Sequence, residues 1–184
     1  MLDPAPISLD IPGITVRRAT IDDLDRVRAV VQDATRRVLE KGITEWRLYL
    51  TQKGEARILA RVRGDNGAET YLARRTSDGG DVGVYTLQWH DAKHWGDRLG
   101  NDGQAGYLNM LNVHRTAAGT GLGQQLLRHA ESLIASAGRS FLRLYCAEQS
   151  DFLIDYYPRM GFHRAAYQPS DDDIVLWQKR VGRV

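Results

Sequence analysis

The chain has 184 residues, room for one domain with a filled core, and its 42% apolar and 26% charged residues exclude a disordered chain. Lys and Arg number 25 against 23 Asp and Glu, giving a formal charge of +2 with no block of about five or six like charges, so there is no electrostatic case for nucleic acid or an anionic membrane as partner. Cys146 is the only cysteine, which excludes an intrachain disulfide and a thiolate zinc cluster and fits a reducing compartment. "MLDPAPISLD" has neither a basic nor an apolar signal region and no run of 18 apolar residues follows, so a cytoplasmic protein is expected.

Residues 1–13 carry three of the five prolines and read as an extended lead-in to a single domain over residues 1–184. "ITVRRAT" alternates as a short strand. Thr20 and Asp23 form a possible capping pair ahead of a helix whose Leu24, Val27, Val31, Ala34 and Val38 make one buried stripe ending near Gly42. "TQKGEARILARVRG" offers a short helix. "ETYLARR" and "DVGVYTLQWH", bracketed by the glycine-rich turns "GDNG" and "SDGGD", are two antiparallel strands.

A loop is expected from Asp91 to Gly106, followed by "GYLNMLNV", a central strand buried on both faces. Next comes an amphipathic helix carrying Leu122, Leu126, Leu127, Ala130, Leu133, Ile134 and Ala137, closed by Gly138, with His129 on its outer face. "FLRLYCA" is a buried strand, "SDFLIDYYPRMGF" a short helix and "IVLWQKRV" a terminal strand. This order implies an α/β (α+β) fold with a mixed, mostly antiparallel sheet of about six to seven strands flanked by helices.

Gly119, Gly121 and Gly123 stand where the central strand hands over to the long helix. Glycines there let successive N–H groups converge beside the positive end of a helix, a cradle for phosphate, or they serve close packing; spacing leaves both readings open. Gln124 and Gln125 follow where a Walker A loop needs Lys and Ser or Thr. The G-x-G-x-G spacing, late in the chain, also departs from the dinucleotide fingerprint.

"LNVHRTAAGTGLGQQLLRHAE" and, downstream, "SDFLIDYYPRMGF" resemble the paired markers of the GCN5-related N-acetyltransferase (GNAT) superfamily, and the preceding elements follow its order. The resemblance implies acetyl-CoA or another acyl-CoA as co-substrate and no metal. The diphosphate would lie on the backbone of Ala118, Gly119, Thr120, Gly121, Leu122 and Gly123, with Gln124 beside it. Main-chain groups of Leu111, Asn112 and Val113 would pair with the pantetheine arm as an added strand. Two positions depart from the pattern: Ala118 stands where Arg or Gln is usual, and Ser150 where Asn is usual.

Acyl transfer to an amine needs a neutral amine, a polarised carbonyl and a proton for the leaving thiolate. Tyr157 occupies the position of the family's proton donor, and the alternative is a packed aromatic. The central strand carries no carboxylate, so His90 and Asp91 are the candidate bases, with solvated turn residues as the equal alternative. Trp89 and Trp95 are candidate walls of an acceptor site, or core packing, and Asn109 could orient a water. His90 and His94 are four apart but lack a third metal ligand, and Cys146 reads as a buried inert thiol. The function implied is transfer of acetyl from acetyl-CoA to a primary amine of a small molecule or peptide by direct attack. The alternative is a non-catalytic CoA-binding regulatory module, and the terminal strand leaves a homodimer open.

Overall fold

A computed structural model describes residues 7–8, 13–166 and 173–182, so most of the 1–13 lead-in lies outside the described residues. All eight strands among the described residues belong to one mixed sheet, in which they lie in chain order except that the last two are exchanged. The chain divides into two compact units, Met1–Leu87 with Met110–Leu127, and Gln88–Asn109 with Arg128–Val184.

In the first unit, β1 (Ile7–Ser8), β2 (Ile14–Arg18), β3 (Glu69–Arg75) and β4 (Asp81–Gln88) pair antiparallel in that order. The register sets Val16 opposite Ala73 and Leu72 opposite Val84. Two helices, α1 (Leu24–Leu39) and α2 (Gln52–Arg63), cover one face, joined through a 3-10 segment at Glu45–Leu50. The expected α1 stripe is buried at Val27, Val31 and Ala34, joined by Val30. It packs with Ile58 and Val62 of α2 and with Leu72 and Val84 of the sheet. Each such aliphatic side chain contributes about 1.5–3 kcal/mol by leaving water.

The capping pair forms in part. Asp23 accepts the Thr20 N–H at 3.0 Å, and it is also gripped by Arg17 (2.6 and 2.8 Å) and Arg26 (2.9 Å). The Arg17 hydrogen bonds outweigh burial and hold its carboxyl down to about 2.

In the second unit, β6 (Phe141–Ala147) pairs antiparallel with β8 (Ile174–Arg180), and β7 (His163–Arg164) pairs with β8 from the other side. The central β5 (Ala105–Val113) runs through both units, as does α4 (Leu122–Ser136). β5 is parallel to β6 over three residue pairs, Ala105 with Phe141 through Tyr107 with Arg143. The mixed, mostly antiparallel sheet expected from the sequence is present, with two extra strands of only two residues, β1 and β7.

Three expectations are corrected. The segment after Asp91 is no loop but a helix, α3 (Ala92–Gly100), kinked at Gly96, whose positive φ and the chain's glycine content there hide the helical pattern. His129 is buried, at 4% exposure, rather than on an outer face, and burial lowers its pKa to about 4. Ala137 is exposed past the end of α4. The buried thiol of Cys146 accepts a hydrogen bond from Trp177 Nε1 at 3.3 Å, and burial pushes its pKa up, away from nucleophilic chemistry.

Candidate functional site

The glycine turn opens α4 in the first unit. Gly119 and Gly121 have φ of 79° and 86°, the left-handed region that glycine enters without strain. A Cβ built on either would meet no atom within 4 Å, so neither glycine is there to let protein pack closely. Gly83 of β4 serves that purpose: a Cβ there would stand 2.8 Å from Leu126, and its absence brings α4 onto β4.

Among the described residues, the N–H groups of Gly119, Gly121, Leu122, Gly123 and Gln124 donate to no protein acceptor. Those of Ala118 and Thr120 are taken by turn bonds to Arg115 and Ala117. Leu122, rather than Gln124, is the first residue of the helix, so its first-turn donors and dipole face the turn. The turn thus combines open space with unused backbone donors at the positive end of a helix.

Upstream, Met110 adopts φ 51°, unusual for a residue with a side chain, and interrupts the pleat of β5. Asn112, 2% exposed, donates from Nδ2 to the Met110 carbonyl at 3.0 Å, holding that irregularity in place. Its Oδ1 is buried with no hydrogen-bond partner among the described residues. Leu111 and Val113 on either side are half-buried.

The short arm between β5 and the glycine turn is bolted to α1 by Asp33, a residue that sequence reasoning missed. Its carboxylate accepts the Arg115 backbone N–H at 2.7 Å and Arg115 Nε at 2.6 Å, and lies 3.5 Å from His114 Nε2. Burial alone would raise its pKa, but the Arg115 hydrogen bonds prevail and hold it below the usual carboxylate range. Arg115 also reaches Glu40 at 3.3 Å, and Arg75 donates to Thr116 at 3.0 Å. These partners lie 41 to 82 residues apart in sequence, so no local motif signals them.

The second unit holds the remaining candidates. Tyr157 on α5 (Asp151–Arg159) is buried, edge-on to Phe162 at 5.5 Å and tilted on Trp177 at 6.1 Å. Burial raises its phenol well above the ordinary range, which keeps the proton on. Ser150 stands at the N-cap of α5, but its side chain makes no capping bond; its carbonyl receives Leu153 and Ile154 instead.

Trp95 is not a wall of a pocket. It is 1% exposed, edge-on to Tyr107 at 6.1 Å, with the Arg143 guanidinium 5.1 Å over its ring. Trp89 likewise has its ring face taken by Arg139 at 4.8 Å. Asn109, 9% exposed, donates to Gln88 Oε1 at 3.2 Å. His90 is exposed. Asp91 caps α3, accepting the His94 N–H at 3.3 Å, and both its oxygens face His94 Nδ1 at 2.9 and 3.0 Å.

The architecture is an α/β domain with a mixed sheet whose central strand leads into an open glycine turn at a helix N-terminus. The chain belongs to the acetyltransferase (GNAT) family, whose model matches residues 43–162. Over 77 residues it is 40% identical to an uncharacterized N-acetyltransferase, YesJ, of Bacillus subtilis (strain 168), covering 41% of this chain and 40% of that protein. The chain thus matches less than half the length of this curated relative.

A GNAT-family acetyltransferase from Listeria monocytogenes 4b F2365 is similar across 95% of this chain and 99% of its own, at 26% identity and a TM-score of 0.76. The PaiA N-acetyltransferase of Thermoplasma acidophilum, solved with coenzyme A, shares the fold over 91% of this chain and 98% of its own, at 18% identity and a TM-score of 0.68. No helix among the described residues is long and apolar enough to cross a membrane.

Proposed function

We propose that residues 1–184 act as one cytoplasmic acyl-CoA-dependent N-acyltransferase, moving acetyl from acetyl-CoA to a primary amine of a small molecule or peptide by direct attack on the thioester. The observation that carries this reading is the set of five N–H groups without a protein acceptor around Gly119 and Gly121, in open space at the head of α4. Such a cradle fits a diphosphate, whose charge the helix dipole favours. The coenzyme A held by the Thermoplasma relative supports the same ligand class here.

In this reading the cradle fixes the diphosphate and Leu111, Asn112 and Val113 offer main-chain groups to the pantetheine amides. Ala118 contributes no side-chain contact, so backbone donors do the holding. Tyr157 delivers the proton to the departing thiolate, a role suited to a phenol that burial keeps protonated. Ser150 stands near the start of the same helix and would meet the pantetheine with a shorter reach than the usual Asn.

Calorimetric titration with acetyl-CoA, against NADH and ATP as phosphate-bearing controls, tests the ligand. Thiol release with a panel of primary amines tests the reaction. Selective acetyl-CoA binding with amine-dependent thiol release is the expected result. Binding without release would favour the non-catalytic module, and no binding would refute the cradle.

A further inference from the structure

The proposed reaction starts from an amine that is protonated in water, and β5 supplies no carboxylate to deprotonate it. We propose that His94, oriented by Asp91, is the general base that takes this proton. The inference rests on the function proposed above.

The first support is the geometry of the pair. His94 Nδ1 faces both oxygens of Asp91 at 2.9 and 3.0 Å, and Asp91 is itself fixed by capping α3. A carboxylate accepts only, so Nδ1 carries the hydrogen and, in the neutral tautomer, Nε2 holds the lone pair. Among the described residues Nε2 has no hydrogen-bond partner, and the side chain keeps 18% exposure, enough to pass a proton to water. Asp91, one of the two bases suggested by sequence, thereby becomes the orienting group rather than the base.

The second support is where the ring lies. Parallel pairing of β5 with β6 ends at Tyr107 and Arg143, whose side chains share a face, since Arg143 Nη1 donates to Tyr107 Oη at 3.1 Å. One pleat further on that face are Asn109 on β5 and Tyr145 on β6. His94 stacks on Tyr145, ring centroids 4.1 Å apart and planes 26° from parallel. The imidazole is therefore seated one pleat beyond Tyr107 and Arg143, where the pairing of β5 with β6 ends. Among the described residues, the exposed His90 has neither an orienting carboxylate nor a ring to fix it.

In the step proposed, Nε2 takes a proton from the ammonium group and the freed amine attacks the thioester carbonyl carbon. The C–N bond forms, the C–S bond breaks, the thiolate leaves with a proton from its donor, and the second proton shed by the attacking nitrogen as it becomes an amide restores that donor. The imidazolium returns its proton to water, so acyl-CoA and ammonium become amide, CoA thiol and one proton.

The test compares wild type, His94→Gln and His94→Ala in acetyl-CoA titrations and in thiol release with alkyl monoamines and diamines as probes. Acetyl-CoA affinity within about twofold of wild type, with turnover lowered about 100-fold or more, is expected for both variants. Added imidazole should restore part of the rate of His94→Ala, which repair of a merely structural cap would not do. Turnover by both folded variants within a few-fold of wild type overturns the assignment while leaving the proposed function intact.

Should the wild type bind acetyl-CoA yet use none of these amines, diethyl pyrocarbonate modification mapped by mass spectrometry decides. Acetyl-CoA should slow modification of His94 relative to exposed His90, and equal slowing or none overturns the placement. A protein that does not bind acetyl-CoA refutes the proposed function, and this inference falls with it.

Discussion

Replacing Gly121 by Glu puts a negative group where the diphosphate is proposed to lie. The free protein should tolerate the change, because a Cβ at this position meets nothing within 4 Å. The cost to folding is that of an L-residue at φ 86°, about 1–2 kcal/mol, or a fall in Tm of roughly 2–8 °C for a chain of this length. The cost to binding is larger. Two unit charges about 4 Å apart repel by about 4 kcal/mol at an effective dielectric constant near 20, and solvent at the open turn reduces that to about 3 kcal/mol or a little less. Acetyl-CoA affinity should therefore fall on the order of 100-fold. Gly121→Ala carries the same backbone cost without the charge, so the difference between the variants isolates the anion. Calorimetry and a melting curve on each protein suffice. A folded Gly121→Glu protein that binds acetyl-CoA like the wild type would refute the cradle.

Tyr157→Phe should lower turnover at least tenfold while leaving acetyl-CoA affinity within about twofold, measured by thiol release and calorimetry; equal turnover removes the phenol from the mechanism. Asp33→Asn removes the charge that fixes the Arg115 arm and should raise the KM for acetyl-CoA severalfold with kcat little changed, whereas Asp33→Glu restores part of the affinity. His129 gives a pH test of stability. Its folded pKa of about 4 lies below the ordinary 6.5, so the unfolded chain takes up the proton first, and stability is fully present above pH 6.5 and declines as pH falls toward 4. The decline attributable to this residue is about 3 kcal/mol, and urea unfolding of His129→Gln at pH 7.5 and 4.5 should show a correspondingly smaller drop than wild type.

Periodicity carried the α1 stripe and the antiparallel β3 and β4, because in each a regular spacing of apolar side chains meets a single packed face. The glycine turn was legible for a different reason: positive φ at Gly119 and Gly121 leaves glycine as the residue free of strain. Helix α3 was not legible, since nine residues containing Gly96 and Gly100 show little periodicity and the cap at Asp91 is a single side chain. The aromatic residues near it read as an open amine pocket because sequence cannot show that Arg143 and Arg139 already cover Trp95 and Trp89. Asp33 was invisible for a related reason, as its partner lies 82 residues away.

The charges around the arm explain how a cradle with Ala118 in place of a longer polar residue can still serve. Arg115 is the cation nearest in sequence to the glycine turn, yet its Nε is 2.6 Å from Asp33 and its Nη2 3.3 Å from Glu40. Arg75 is similarly engaged by Asp78 at 2.7 Å and Thr116 at 3.0 Å. These guanidinium groups hold the arm rather than reach for a ligand. In the proposed function, anion binding then falls to backbone N–H groups whose direction is fixed by φ at two glycines and by the seat of α4 on Gly83. Precision in the backbone thus takes the place of a side-chain charge, which is why the arm's distant anchor at Asp33 should matter to cofactor affinity although it touches no cofactor group in this reading.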